Sequence, residues 1–248
     1  MRLYVHQLRA DQLIFWRGRE SAVFVFLFPI LLFLLLGTVY GGEFRGRPVT
    51  DYLMPSLIAY GVANTMFGGL AITLVIRRES GILKRIRSTP LPGATYLAAT
   101  VTSSLFVFTL QALVIMLLGA GLYNSDVPSD LTSLLLTYAL GAICFAGVGL
   151  GVASLIRSSE GASAVVNVIV LPMTFLSGGF GPTRDFPEFL KAIADVLPLT
   201  YLVDLITGIV YEDKGIWDQP RAVAVLTAWG IAGALVAWRR FSWEPRER

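Results

Sequence analysis

Six stretches of this chain carry no Asp, Glu, Lys, Arg or His: residues 23–40, 52–76, 94–122, 131–156, 161–180 and 222–238. An α-helix rises about 1.5 Å per residue, so about 20 apolar residues cross the hydrocarbon of a bilayer. No other feature constrains the fold as strongly. Charged residues make up 15% of the whole, against about 25% in ordinary soluble proteins, and the deficit is concentrated in these runs. A transmembrane β-barrel would show apolar and polar residues alternating in pieces of about ten. These runs are apolar all round, which predicts helices. Pro29, Pro55 and Pro172 fall inside them, as membrane helices tolerate better than soluble ones. The expected fold class is an all-α membrane protein of six spans.

The first run is long, and the "YGGEFRG" that follows it lacks a small-x-small cleavage pattern, so it is expected to remain as a span. With an internal N-terminus, the basic residues on the inside are those at 2–19, 77–87, 157 and 239–248. These are fourteen of the 20 lysines and arginines. The excess favours both termini in the cytoplasm. The expected organisation is an interfacial helix within 1–21, a six-span domain over 22–240 and a cytoplasmic tail over 241–248.

Two segments fall outside the six spans. Residues 3–20 mix Leu3, Val5, Leu8, Leu13, Ile14, Phe15 and Trp16 with basic side chains. This suits an amphipathic helix lying on an anionic membrane surface; the alternative is a plain cytosolic lead-in. Residues 186–212 repeat apolar side chains at helical spacing (Phe186, Phe189, Leu190, Ile193, Leu197), then break at Pro198 and carry Asp204. The second half is too short to span. A re-entrant helical hairpin in the outer leaflet is expected, which needs its broken backbone satisfied by protein or water. An extracellular subdomain and a seventh span are the alternatives.

Between the second and third runs stands "RRESGILKRIRSTPLP", residues 77–92, with five basic residues in sixteen. Ile82, Leu83 and Ile86 share one helical face, while Lys84, Arg85 and Arg87 fall mostly elsewhere. Pro90 and Pro92 stop the helix, and Gly81 allows close approach of another backbone. The pattern predicts a short amphipathic docking helix within 78–89, its apolar triplet meeting a partner. An ordinary positive-inside loop would also be basic, but would not need the triplet, the glycine and the paired prolines.

This stretch resembles the cytoplasmic coupling helix of the ATP-binding-cassette (ABC) type-2 export permeases. Glu79, Gly81, Leu83, Lys84, Arg85, Arg87, Thr89, Pro90, Leu91 and Pro92 match that family's pattern, with Ile86 where leucine is commoner. A second stretch, "LPMTFLSGGFGPTRDFPEFLKAIADVLPLTYLVDLITGIV", is similar to the family's fifth span and re-entrant segment. Its matching positions are Pro172, Ser177, Gly178, Pro182, Pro187, Pro198, Leu199 and Thr200. The resemblance covers nearly the whole chain. It implies a half-transporter in a bacterial plasma (inner) membrane, paired with an identical or related permease subunit. Two copies of a separate ATP-binding subunit would hold the ATP and magnesium. This chain would bind no cofactor and no nucleic acid, and would not itself be an enzyme. Glu79, Gly81, Ile82, Leu83, Lys84, Arg85, Ile86, Arg87, Pro90 and Pro92 become the expected partner-docking set. Pro172, Gly178, Gly179, Pro198, Thr200 and Asp204 become the expected re-entrant or gate region.

The sequence holds no G-x-x-x-x-G-K-[ST], so it lacks that phosphate-cradling device. One histidine, His6, and one cysteine, Cys144, exclude a disulfide within the chain and a metal centre built on several such residues. An ion-coupled carrier needs ionisable groups at depth. Only Asp204 lies in an apolar stretch, which weighs against ion coupling. Asn64, Thr65, Thr73, Gln111, Asn167 and Thr174 fit interhelical hydrogen bonds. "GVGLGVAS", residues 147–154, predicts tight helix packing within the chain. Uncharged walls suit a drug-like or lipid-like cargo. A polysaccharide or lipid-linked polymer, and a non-transport membrane scaffold, are the other readings.

Overall fold

The computed structural model describes residues 1–39, 43–44, 47–123, 125, 130–180, 183 and 186–244. Among them the chain is helical almost throughout. Helix α1 (Arg2–Arg17) turns at Gly18 into α2 (Arg19–Val39). A two-residue antiparallel ribbon, β1 (Glu43–Phe44) and β2 (Arg47–Pro48), leads to α3 (Val49–Val62). Then come a π-helical stretch (Ala63–Gly69), α4 (Leu70–Glu79) and the short α5 (Ile82–Arg87). The rest is α6 (Gly93–Tyr123), α7 (Leu131–Leu155), α8 (Ser159–Leu176), α9 (Glu188–Ala194), α10 (Pro198–Tyr211), one 3₁₀ turn (Ile216–Asp218) and α11 (Pro220–Arg240).

Among the described residues, six helical segments are long and apolar enough to cross a membrane: Ala22–Val39, Asp51–Glu79, Gly93–Tyr123, Leu131–Leu155, Ser159–Leu176 and Pro220–Arg240. These are the six spans read from the sequence, with two differences. The second span runs one turn further than Ile76 and takes in Arg77, Arg78 and Glu79, because all three charges find partners on other helices. The fifth ends at Leu176 rather than Phe180. There Gly178 turns left-handed at φ +79°, and the Gly179 amide closes on the Thr174 carbonyl at 2.8 Å. That arrangement ends a helix and favours glycine. A β-carbon at Gly179 would stand 2.3 Å from Thr174 Cγ2.

The second span is the centre of the bundle. Its apolar window is 78% buried, against 17% for the first span. In a membrane, helices associate through packing and hydrogen bonds rather than through escape from water, so small residues mark the contacts. The fourth and sixth spans show this. A β-carbon at Gly147 would lie 2.5 Å from the Gly230 carbonyl oxygen, and one at Gly151 would lie 2.8 Å from that of Gly233. The two backbones touch, as the glycine-rich 147–154 predicted. Gly149 presents its bare face to the Phe67 carbonyl in the π-helical stretch, where a β-carbon would stand at 2.9 Å. Nothing in the sequence pattern announces that stretch, since it carries no charge and remains helical. The wider i→i+5 turn is a local rearrangement that often marks functional places.

Helices α9 and α10 form a pair bent by 82°. Eleven of the fourteen residues of α10 are buried, leaving Thr200, Asp204 and Thr207 on its more open face. Leu202 packs on Gly141, ten residues into α7, so α10 reaches about 15 Å along that helix.

Candidate functional site

The basic hinge lies at the end of the bundle where α1, α4, α6, the α7–α8 junction and the chain after α11 converge. Ser80 ends α4, and Gly81 takes φ +73° with no atom within 4 Å of a would-be β-carbon. Its left-handed backbone, not a close approach, is what requires glycine. The helix that follows is six residues long, shorter than the sequence suggested over 79–88, because Gly81 breaks the chain after α4 has absorbed Glu79. Its exit is set locally. The Thr89 hydroxyl donates to the Ile86 carbonyl at 2.6 Å and accepts the Leu91 amide at 3.3 Å, and Pro90 and Pro92 stand exposed before α6 begins.

The apolar triplet does not face outward as a unit. Leu83 is fully buried in this chain's own core, and Ile86 packs against that core. Only Ile82 remains 42% exposed. What α5 presents to its surroundings is therefore Lys84, Arg85 and Arg87, with Ile82 beside them. The reason is geometric: a helix this short, hung between two spans, needs an anchor, and Leu83 provides it.

The three residues before the hinge reach four other helices. Arg77 donates to Tyr96 Oη on α6 at 2.7 Å and to Asp11 Oδ1 on α1 at 2.8 Å. Asp11 is itself buried and also accepts the Thr100 hydroxyl at 2.9 Å. Arg78 is 1% exposed, and its guanidinium forks onto the carbonyls of Ala153 and Ile156 at 3.0 and 2.5 Å. Those carbonyls close the C-terminus of α7, where the helix leaves acceptors unsatisfied and a cation is favoured. Glu79 Oε2 accepts the Ser159 amide at 2.7 Å, at the N-terminus of α8, where an anion is favoured. The opening stretch of the hinge thus looks inward. Counted in the sequence as loop charges, these side chains are internal ties. Tyr4, Gln7 and Asp11, spaced three and four apart on α1, were the sign of an inward polar face; Tyr4 reaches Thr102 and Gln7 reaches Asp11.

A crevice of about 820 Å³ opens beside this end. Its walls come from α1 and the start of α2 (Phe15, Phe24), the π-helical stretch and α4 (Asn64, Thr65, Thr73), α6 (Ser104, Val107) and α8 (Ser163, Asn167). Neutral hydroxyl and amide groups alternate with apolar surface. The charged residues in its lining are Asp11 and Arg77, which pair at 2.8 Å, and Glu20.

At the far end, the residues read as a gate region divide into two sets. Gly178 and Gly179 end α8, Pro198 is the first residue of α10, and Thr200 joins them. Thr200 donates to the Ala194 carbonyl at 2.8 Å, so the 2.9 Å contact to Ser177 has the serine as donor. This ties the exit of α8 to the bend between α9 and α10. Pro172 lies exposed on α8, and Asp204 lies exposed on α10; neither takes part in that knot.

A bundle of six apolar spans, with a basic helical hinge between the second and third, defines a polytopic helical membrane protein. The sequence profile of the ABC-2 type transporter matches residues 4–211, and the chain belongs to that family. It is 24% identical over 200 residues to a probable multidrug ABC transporter permease, YbhR, of Escherichia coli, covering 78% of this chain and 54% of that one. With the inner membrane transport permease YhhJ of the same organism it shares 26% over 174 residues, 68% of this chain and 45% of the relative. With the inner membrane transport permease YadH it shares 24% over 220 residues, 84% and 82%. The chain thus spans about half the length of the first two relatives and most of the third.

Proposed function

We propose that this chain is the membrane-spanning permease subunit of an ATP-driven exporter. It sits in a bacterial inner membrane with both termini and α5 in the cytoplasm. Two copies of a separate ATP-binding subunit dock on α5, and a second permease subunit, identical or related, completes the pathway. ATP and magnesium belong to the docked subunits. The observation that carries this reading is α5 itself: a cationic helix, anchored through Leu83, whose free face is Lys84, Arg85 and Arg87. Membership of the ABC-2 type transporter family supports the same reading. So do the names of the relatives, which are permeases, two of them of the inner membrane.

Charge on an exposed face sets register and encounter more than raw affinity. The docked pair closes on ATP, α5 moves with it, and the spans on either side tilt as rigid bodies. Cargo enters the crevice from the cytoplasm or inner leaflet. Its neutral hydroxyl and amide lining fits an amphipathic, drug-like or lipid-like molecule. Helix α10 sits in the outer half, and α1, whose Leu3, Leu13, Ile14 and Trp16 are exposed, lies in the inner interface.

The test is purification from the native membrane, followed by charge reversal. Wild-type protein is expected to bring down a P-loop ATPase with measurable hydrolysis. Arg85→Glu with Arg87→Glu is expected to lose that partner while inserting normally. In inverted vesicles given ATP, uptake of ethidium or of a fluorescent phospholipid reports the cargo class; failure of both with an active ATPase points to a polymer. A protein that purifies without any ATPase, or keeps it after both reversals, contradicts the docking assignment.

A further inference from the structure

Arg77, Arg78 and Glu79 are consecutive, yet each ties α4 to a different neighbour. Side chains on a helix advance by about 100° per residue, so three in a row fan around its end. Arg77 holds α1 through Asp11 and α6 through Tyr96. Arg78 holds the last turn of α7. Glu79 holds the first turn of α8. Arg78 and Glu79 also complement the opposite helix ends that meet at the α7–α8 junction, cation to C-terminus and anion to N-terminus. A guanidinium that is 1% exposed is tolerated only where its hydrogen bonds are made. The junction therefore cannot slide along α4 without losing them.

Three of the elements so held, α1, α6 and α8, line the crevice: Phe15 of α1, Ser104 of α6, and Ser163 and Asn167 of α8 all contribute to it. We infer that Arg77, Arg78 and Glu79 are positioning residues that turn a displacement of α5 into a change in the width of the crevice lined by α1, α6 and α8. The inference rests on the exporter reading. In it the stroke passes through Gly81 into a three-way clasp, and not only along the second and third spans that flank the hinge. A purely structural clasp would hold the bundle together but would leave no nucleotide dependence to lose.

The experiment uses the complex purified with its ATPase, in nanodiscs, carrying Cys144→Ala and Asn167→Cys. The rate of alkylation at position 167 by N-ethylmaleimide is compared without nucleotide and after trapping with ATP and vanadate. With the clasp intact a several-fold difference is expected. Glu79→Leu removes the acceptor for the Ser159 amide and is expected to abolish the difference while hydrolysis continues. Glu79→Gln keeps an acceptor oxygen and is expected to restore it. Arg78→Lys loses the fork and should behave like Glu79→Leu; if it fails to fold, the Glu79 pair decides alone, since Glu79 is only part-buried. Variants that hydrolyse ATP and switch as well as wild type overturn the inference. So does an intact, hydrolysing complex with no switching at position 167. Absence of any co-purified ATPase overturns instead the exporter reading on which it stands.

Discussion

Single residues here divide between those that anchor and those left exposed. Leu83 anchors. Truncating a fully buried leucine to alanine costs about 2–5 kcal/mol, so Leu83→Ala is expected to lower the detergent melting temperature of the isolated subunit. Arg85→Ala, at an exposed position, is expected to leave it unchanged; equal melting temperatures would place Leu83 outside the core. Gly81 at φ +73° accepts another residue only at a backbone cost of about 1–2 kcal/mol, and Gly81→Val is expected to loosen the hinge. At this scale the sequence was legible in kind but not in direction. The triplet Ile82, Leu83 and Ile86 was readable as one apolar face, yet periodicity cannot say whether such a face meets its own chain or another. Arg77 and Arg78 were readable as charges at the inner end of a span. That Arg77 turns inward depends on Asp11, 66 residues away in sequence, and that Arg78 does so depends on the Ala153 and Ile156 carbonyls, 75 and 78 residues away.

Helices and their pairings follow from side-chain size and helix-end chemistry. The α7–α11 contact depends on four glycines whose backbones touch. Gly147→Leu is expected to split that pair and leave protein that inserts but is lost to proteolysis or aggregation; normal accumulation with unchanged melting would contradict the packing. The knot of Ser177, Thr200 and the Ala194 carbonyl joins α8 to the bend before α10. A hydrogen bond of this kind contributes about 0.5–1.5 kcal/mol. Thr200→Val is therefore expected to quicken hydrogen exchange at the α9–α10 bend and leave α7 unaffected. Elements were the most legible scale, since six charge-free runs of span length leave few alternatives. Their ends were less so. Gly178 shortened α8, while Arg77, Arg78 and Glu79, each hydrogen-bonded to another helix, lengthened α4. The π-helical stretch changes hydrogen-bond register within an uncharged helical run, so no charge or span pattern could disclose it.

The molecule as a whole is an apolar body with a small cationic handle. Its densest part is the second span, its most open part the crevice beside α1 and α8, and its handle joins the two. The expectation of a docking hinge came from "LKRIRSTPLP"; the expectation of a bent helix pair before the last span came from Pro198 and the short apolar run after it. The crevice could not be read, because its walls come from residues as far apart as Phe15 and Asn167 and are individually ordinary. The central claim is that α5 is gripped by another polypeptide on the cytoplasmic side. It is tested most directly by placing a photo-activated cross-linking residue at position 85 in the native membrane and identifying what it captures. The account predicts a P-loop ATPase, with capture diminished by Arg87→Glu. Capture of lipid alone, or of a protein from the opposite side of the membrane, would contradict it.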